Sequence, residues 1–196
     1  GGLRITYHLQ MSISESEKTI LLALAGRAIK QKVDPGKHPE PVSPALTGNL
    51  KRGAGAFVSV YVKEELRGCI GTFSEDYPLY KNVENMAVSA ATCDSRFPSV
   101  RAEEFSELEI ELSVLSPRKR IYDPSEIELG KHGIYLKLDS NRGTLLPQVA
   151  ISQQWTVEEF LGNCSKYKAG IGWDGWKAAE IYTYEATVFR SKLLPD

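Results

Sequence analysis

Ile20, Leu21, Leu24, Ala25, Ala28 and Ile29 recur at helical spacing behind Ser14 and Glu17, which together read as a capping box. The pattern predicts a long amphipathic helix ending near Lys32. Between Asp34 and Pro44, four prolines and a glycine exclude a helix or central strand and predict an ordered surface crossing that carries His38. Ala56 to Val62 is rich in β-branched and aromatic residues, so it reads as a strand. A polar Lys63-Glu64-Glu65 turn leads into a second strand at Leu66 to Gly71, giving a β-hairpin. Pro78 through Ala91 carries Leu79, Val83, Met86, Ala87 and Ala90 as an apolar helical stripe. Its small residues permit close packing, and its end delivers Asp94 and Arg96 on a loop.

Leu108 to Val114 alternates, placing Glu109, Glu111 and Ser113 on one face as a solvated surface, as partners for arginines or as acid-base groups. Gly133 to Asp139 alternates as well, after a Lys131-His132-Gly133 turn. Thr156 and Glu159 form a second capping box before a helix that includes Phe160 and Leu161. Glu180 to Phe189, rich in Tyr and Thr, reads as a closing strand. Strands mix irregularly with helices and the hairpins imply antiparallel pairing, so the expected class is α+β: a mixed or mainly antiparallel sheet with flanking helices. No internal repeat or low-complexity tract is visible.

The 196 residues, 42% hydrophobic and 25% charged, have the make-up of a soluble globular protein with room for a substantial core. One domain over residues 14–190 with two packed subdomains is expected. Residues 1–13 read as an N-terminal extension or cloning remnant, with Met11 one candidate natural start, and 191–196 as a tail. A net charge of -1 and a pI near 6.4 give no global reason to expect nucleic acid or an anionic membrane as partner. The Arg118-Lys119-Arg120 cluster reads as a solvated loop. Cys69, Cys93 and Cys164 are odd in number and widely spaced, which argues against a disulfide framework and for a reduced cytoplasmic setting. No apolar run approaches the roughly 18 residues of a membrane span, and no signal peptide is expected.

Leu66-Arg67-Gly68-Cys69-Ile70-Gly71 carries the candidate chemistry. In an extended strand Arg67 and Cys69 share a face. A guanidinium near a thiol favours the thiolate, while Gly68 and Gly71 admit a ligand or another backbone. A buried structural Cys beside an ion-paired Arg fits the same residues. Arg67 and Arg96 together suit a bidentate anion, although Arg96 also fits an ion pair with Asp94. Gln148, in Leu145-Leu146-Pro147-Gln148-Val149-Ala150, is either a bridge to backbone or a ligand contact if buried. His132 is a distant candidate base for Cys69. Trp155, Trp173 and Trp176 with Tyr167 and Tyr182 either line a pocket or fill a core. No metal site or cofactor is expected, because the three histidines are unpaired and no Cys-x-x-Cys occurs. Gly170-Ile171-Gly172-Trp173-Asp174-Gly175 satisfies the dinucleotide fingerprint but follows a helical segment.

With Asp94-Ser95-Arg96-Phe97-Pro98, Glu111-Leu112-Ser113-Val114-Leu115-Ser116 and the Leu145 to Ala150 block, the Arg67/Cys69 strand resembles the AMMECR1 domain family. Trp155, Phe160-Leu161, Cys164 and Lys168-Ala169-Gly170 extend the likeness, which runs from about Ser14 to Arg190. The resemblance implies two subdomains with a cleft near these motifs, and Arg67, Gly68, Cys69, Gly71, Asp94, Arg96 and Gln148 as its candidate lining. It also implies a prokaryotic system with a Memo-like protein and a radical S-adenosylmethionine enzyme, of which this chain would be the cofactor-free member. Binding of an anionic small molecule or macromolecular substrate, a non-catalytic adaptor role, and RNA-modification-associated binding are the functions compatible with these residues.

Overall fold

In chain order the elements are α1 (Glu15–Val33), α2 (Gly48–Lys51), β1 (Ala56–Val62), β2 (Glu65–Thr72), α3 (Leu79–Thr92), β3 (Leu108–Leu115), β4 (Lys119–Ile121), β5 (Gly133–Leu138), β6 (Asn141–Leu145), α4 (Pro147–Gln153), α5 (Val157–Asn163), β7 (Glu180–Tyr184) and β8 (Ala186–Lys192). These come from a computed structural model that describes residues 12–38 and 46–192. The readings placed on residues 1–11, on Pro39, Pro41 and Pro44, and on the tail from 193 lie outside those residues. The fold is α+β, with two four-stranded sheets ordered β2-β1-β3-β8 and β4-β7-β5-β6.

The chain divides into two compact units, one running up to Ser113 and resuming at Val188, the other spanning Val114–Thr187. The second is therefore an insertion in the first.

In the first unit, Ser14 caps α1 as the sequence predicts: its hydroxyl accepts from the Glu17 N–H, and Glu17 accepts from the Ser14 N–H. Glu17 is buried and also accepts from Thr47 at 2.5 Å and Asn49 at 3.3 Å. This carboxylate therefore ties α1 to the start of α2. α1 buries Leu21, Leu24, Ala25 and Ile29, and packs on α3, which in turn lies against β1 and β2. Along β1 burial alternates strictly, with Ala56, Val58, Val60 and Val62 buried. The hairpin turn is shorter than the sequence suggests. Glu65 already pairs with Val62, leaving Lys63 (φ 51°) and Glu64 (φ 66°) as a two-residue loop. Positive φ at both positions is the signature of the type I′ turn that matches strand twist.

In the second unit, β5 pairs antiparallel with both β6 and β7, and β4 with β7. Ile121, Ile134, Leu136, Leu145, Phe160, Leu161, Cys164 and Ile181 form its core. Two sequence readings need correction. Lys119–Ile121 is a strand rather than a solvated loop, and the predicted closing strand is two strands in different sheets. Ser116 and Glu185 mark that break: the Glu185 N–H donates to the Ser116 hydroxyl, and the Ser116 N–H to the Glu185 carbonyl, each at 2.8 Å. A side-chain acceptor inserted here ends the regular ladder, so the pairing partners change.

Candidate functional site

The register of the β1-β2 hairpin decides where the candidate residues point. Tyr61 pairs with Leu66 and Val60 with Gly68, so Arg67 is the extra residue of a β-bulge. Bulges re-aim a side chain out of the regular alternation. The Arg67 guanidinium donates to both oxygens of Glu104 and, through Nη2, to the carbonyls of Pro98 (3.2 Å) and Ser99 (3.3 Å). Arg67 and Glu104 side chains are each only 15% exposed. Arg67 holds the Glu104 carboxyl below its usual range, aided by the Arg101 N–H. Of the two sequence readings of Arg67, the ion pair is the one the structure shows, because the bulge directs the guanidinium to the segment after α3.

At Gly68 the close approach is by another backbone, one of the two possibilities the sequence offers. A Cβ built there would lie 1.7 Å from the carbonyl oxygen of Ala90, so α3 approaches β2 backbone to backbone. At Gly71 the added atom would strike the Phe57 ring at 2.3 Å, and neither glycine has positive φ.

Cys69 stands opposite Ser59, whose hydroxyl donates to its sulfur at 3.2 Å. Its backbone is held by the loop that follows α3. The Cys69 N–H donates to Asp94 Oδ2 at 3.0 Å, and the Cys69 carbonyl accepts from Arg96 Nη2 at 3.3 Å. Because β2 is an edge strand, these side chains occupy hydrogen-bonding positions that a further strand would fill. Asp94 and Arg96 also pair with each other through Nε at 3.0 Å and Nη2 at 2.7 Å. That pair, together with the Cys69 N–H, keeps the Asp94 carboxyl well below the usual carboxylate range. The same contact raises the Arg96 pKa. The two segments thus grip each other in both directions: Arg67 reaches residues 98–104, while Asp94 and Arg96 reach back to Cys69.

Asp94 is nearly covered, whereas the Arg96 side chain is 61% exposed, and no hydrogen bond occupies its Nη1 among the described residues. Its guanidinium also lies 5.3 Å from the centre of the Phe97 ring. Arg96, Asp94, Cys69, Gly71 and Arg67 belong to the first unit and Gln148 to the second. Gln148 is exposed on the first turn of α4, behind Pro147 at N1, so the buried amide considered from sequence does not occur. His132 is also in the second unit, where its Nδ1 accepts from the Glu128 N–H at 2.9 Å. It closes a local turn.

All three cysteines are free: Cys69 half-buried, Cys93 exposed and Cys164 buried. Burial pushes the Cys164 thiol up to about 12. Trp155 and Trp176 pack against the second core, but Trp173 lies over Gly162 and Tyr167 is 67% exposed, so core filling accounts for only part of that aromatic group. Gly170 and Gly172 have positive φ in a loop after a π-helical turn, Cys164–Lys168, without the strand a dinucleotide turn needs. Among the described residues no cluster of His, Cys, Asp or Glu is suited to a metal, and no helix is long and apolar enough to cross a membrane. Sequence reasoning passed over Ser59 and Glu104. Only the bulged register brings Ser59 opposite Cys69, and Glu104 lies 37 residues from its partner.

The family model described as AMMECR1 matches residues 22–189, which include both gripping segments. The chain belongs to the AMMECR1 family. This AMMECR1 chain is 38% identical over 192 residues to Protein MK0488 of Methanopyrus kandleri, covering 93% of this chain and 91% of that protein. Protein MJ0810 of Methanocaldococcus jannaschii is 40% identical over 149 residues, covering 72% and 74% of the two chains. The crystal structure of uncharacterized Protein PH0010 from Pyrococcus horikoshii superposes with a TM-score of 0.71 at 34% identity, covering 88% of this chain and 90% of that one.

Proposed function

We propose that the strand edge at Cys69 and the loop bearing Arg96 form a recognition site for an anionic group on a small molecule or macromolecular substrate. Arg96 would contact the anion through Nη1, and Cys69 Sγ would be the candidate nucleophile beside it. The observation that carries this reading is the division of labour between the two arginines. Arg67 is enclosed with Glu104, whereas Arg96 is fixed by Asp94 and the Cys69 carbonyl yet keeps its outer edge exposed. A pre-positioned guanidinium loses little freedom when an oxyanion docks. The Ser59 hydroxyl donates to the Cys69 sulfur at 3.2 Å and helps hold it in place beside Arg96.

Phosphate and sulfate should raise the melting temperature of the parent protein, since a ligand selective for the folded state stabilises it by mass action. Arg96→Gln should abolish the rise and Cys69→Ser should retain it. Anions that leave the parent unchanged, or stabilise Arg96→Gln equally, would remove the anionic-substrate reading.

A second reading is an adaptor whose loop surface docks a Memo-like protein working with a radical S-adenosylmethionine enzyme. It is favoured by the use of Arg67, Asp94 and Glu104 to brace a loop with Ser95, Pro98 and Ser99 exposed. Pull-down of the purified Memo-like protein by the parent, lost on Pro98→Asp in a chain that melts normally, would favour docking over anion binding.

A further inference from the structure

The outer face of the second sheet carries an arrangement that is invisible in the chain-wide charge. Three adjacent strands place Arg120 opposite Tyr182 and Tyr182 opposite Tyr135, in one row across β4, β7 and β5. The next row sets Glu180 opposite Lys137 and Lys137 opposite Arg142. Guanidinium groups lie over the rings: Arg118 is 4.3 Å from the centre of Tyr135, and Arg120 is 4.9 Å from Tyr122 and 5.8 Å from Tyr182. Glu180, the one carboxylate in these rows, is already engaged by the Tyr182 hydroxyl at 2.9 Å and Arg120 at 3.3 Å. Lys137 and Arg142 stand directly opposite each other, and the Arg142 guanidinium donates to the carbonyls of Asp139 at 2.5 Å and Asn141 at 3.1 Å. Tyr122, 84% exposed, lies just past the end of β4, two residues on from Arg120.

We propose that this face binds single-stranded nucleic acid, with Tyr122 and the Arg-Tyr stacks receiving bases and Arg118, Lys137 and Arg142 meeting phosphates. Charge complementarity alone would suit any polyanion. The aromatic row selects the occupant, because unpaired bases offer π-faces that stack on Tyr rings and guanidinium planes, whereas an acidic peptide or duplex has no such faces free.

The test is fluorescence anisotropy of the full chain with oligouridylate and oligothymidylate of about 12 nucleotides, within the site sizes of stacking platforms. Binding of either should weaken between about 50 and 200 mM salt with a logarithmic slope of about -1.4 to -2.8, corresponding to two to four phosphate contacts. Tyr122→Ala should lower affinity at least about fivefold, the lower limit for losing one stacked base, while Tyr122→Phe should stay within about twofold. Because Tyr122 is so exposed, neither variant endangers the fold, and melting curves would verify this. Lys137→Gln with Arg142→Gln should remove about two thirds of the salt dependence, because two of the three assigned phosphate contacts are lost. The proposal is overturned if neither oligonucleotide binds at low salt, if Tyr122→Ala binds as the parent does, or if polyglutamate of equal length competes as well as the oligonucleotide.

Discussion

Replacing Gly68 with Ala tests the packing on which the gripping segments depend. The new methyl would lie 1.7 Å from the Ala90 carbonyl oxygen, and real Cβ atoms essentially never come within 3.0 Å of such an atom. β2 and α3 must therefore separate by at least about 1.3 Å along that line, against a close-packed interior that does not stretch gradually. Overpacking of a core typically costs about 1 to 3 kcal/mol, and a backbone obstacle that cannot rotate away belongs at the upper end. The reduced entropy of the unfolded Ala chain offsets only about 0.4 to 1 kcal/mol. A net loss of about 2 kcal/mol follows, or roughly 4 to 8 °C in melting temperature for a chain of this length. Gly71→Ala should cost less, because it meets a side chain that can turn. Gly48→Ala, with nothing within 4 Å of its Cβ, should be nearly neutral. Differential scanning fluorimetry of the three variants checks the order. A Gly68→Ala protein melting within about a degree of Gly48→Ala would refute the close-approach argument.

Arg67→Met should cost about 2 to 3 kcal/mol, below the penalty for a fully buried broken pair because both partners keep 15% exposure. Urea unfolding would measure it, and Arg67→Lys should rescue little because it cannot reproduce the forked contacts to Glu104 and two carbonyls. Glu104 and Asp94 both have folded pKa values below their unfolded ones, so their stabilisation is present above the unfolded carboxylate range and lost as pH falls through the folded values. Urea midpoints should therefore drop below about pH 4.5, and Glu104→Gln should flatten part of that drop. A thiol reagent should label Cys93 first and Cys69 more slowly, leaving Cys164 untouched until unfolding; peptide mapping after timed quenching reads the order. Lys63→Asn with Glu64→Gly, which supplies residues that tolerate the two positive φ angles, should stabilise the hairpin by about 1 kcal/mol in the same urea assay.

Local signals in the sequence were sufficient where one segment determines its own geometry. Ser14 and Glu17 fixed the start of α1, the β-branched run fixed β1 from Ala56 to Val62, and alternation fixed β3. Non-local pairing was the part that local signals missed. Nothing within Arg118-Lys119-Arg120 announces a strand; its partner is Tyr182, and the ring-guanidinium contact offsets the charge that suggested a loop. Likewise, Glu180 to Phe189 reads as one strand because its composition is uniform, whereas the switch of sheets depends on Ser116, 69 residues away. At the candidate site, Arg67, Cys69, Asp94 and Arg96 were identifiable by residue type. Their roles were not, because a single bulge turns Arg67 toward Glu104 and leaves Ser59 facing the thiol.

The insertion of the second unit between neighbouring strands β3 and β8 has a consequence for the order of folding. Bringing Ser116 to Glu185 in an unstructured chain closes a loop of 69 residues, an entropic cost of about 4 kcal/mol by the logarithmic closure law, against about 1 kcal/mol for a four-residue turn. Once the insertion has folded on its own core, its two ends are already gathered and most of that cost has been met. β8 can then join β3 much as the second arm of a hairpin joins the first. The first sheet is therefore completed late, by the arrival of its last strand, and the inserted unit serves as the turn that makes this possible.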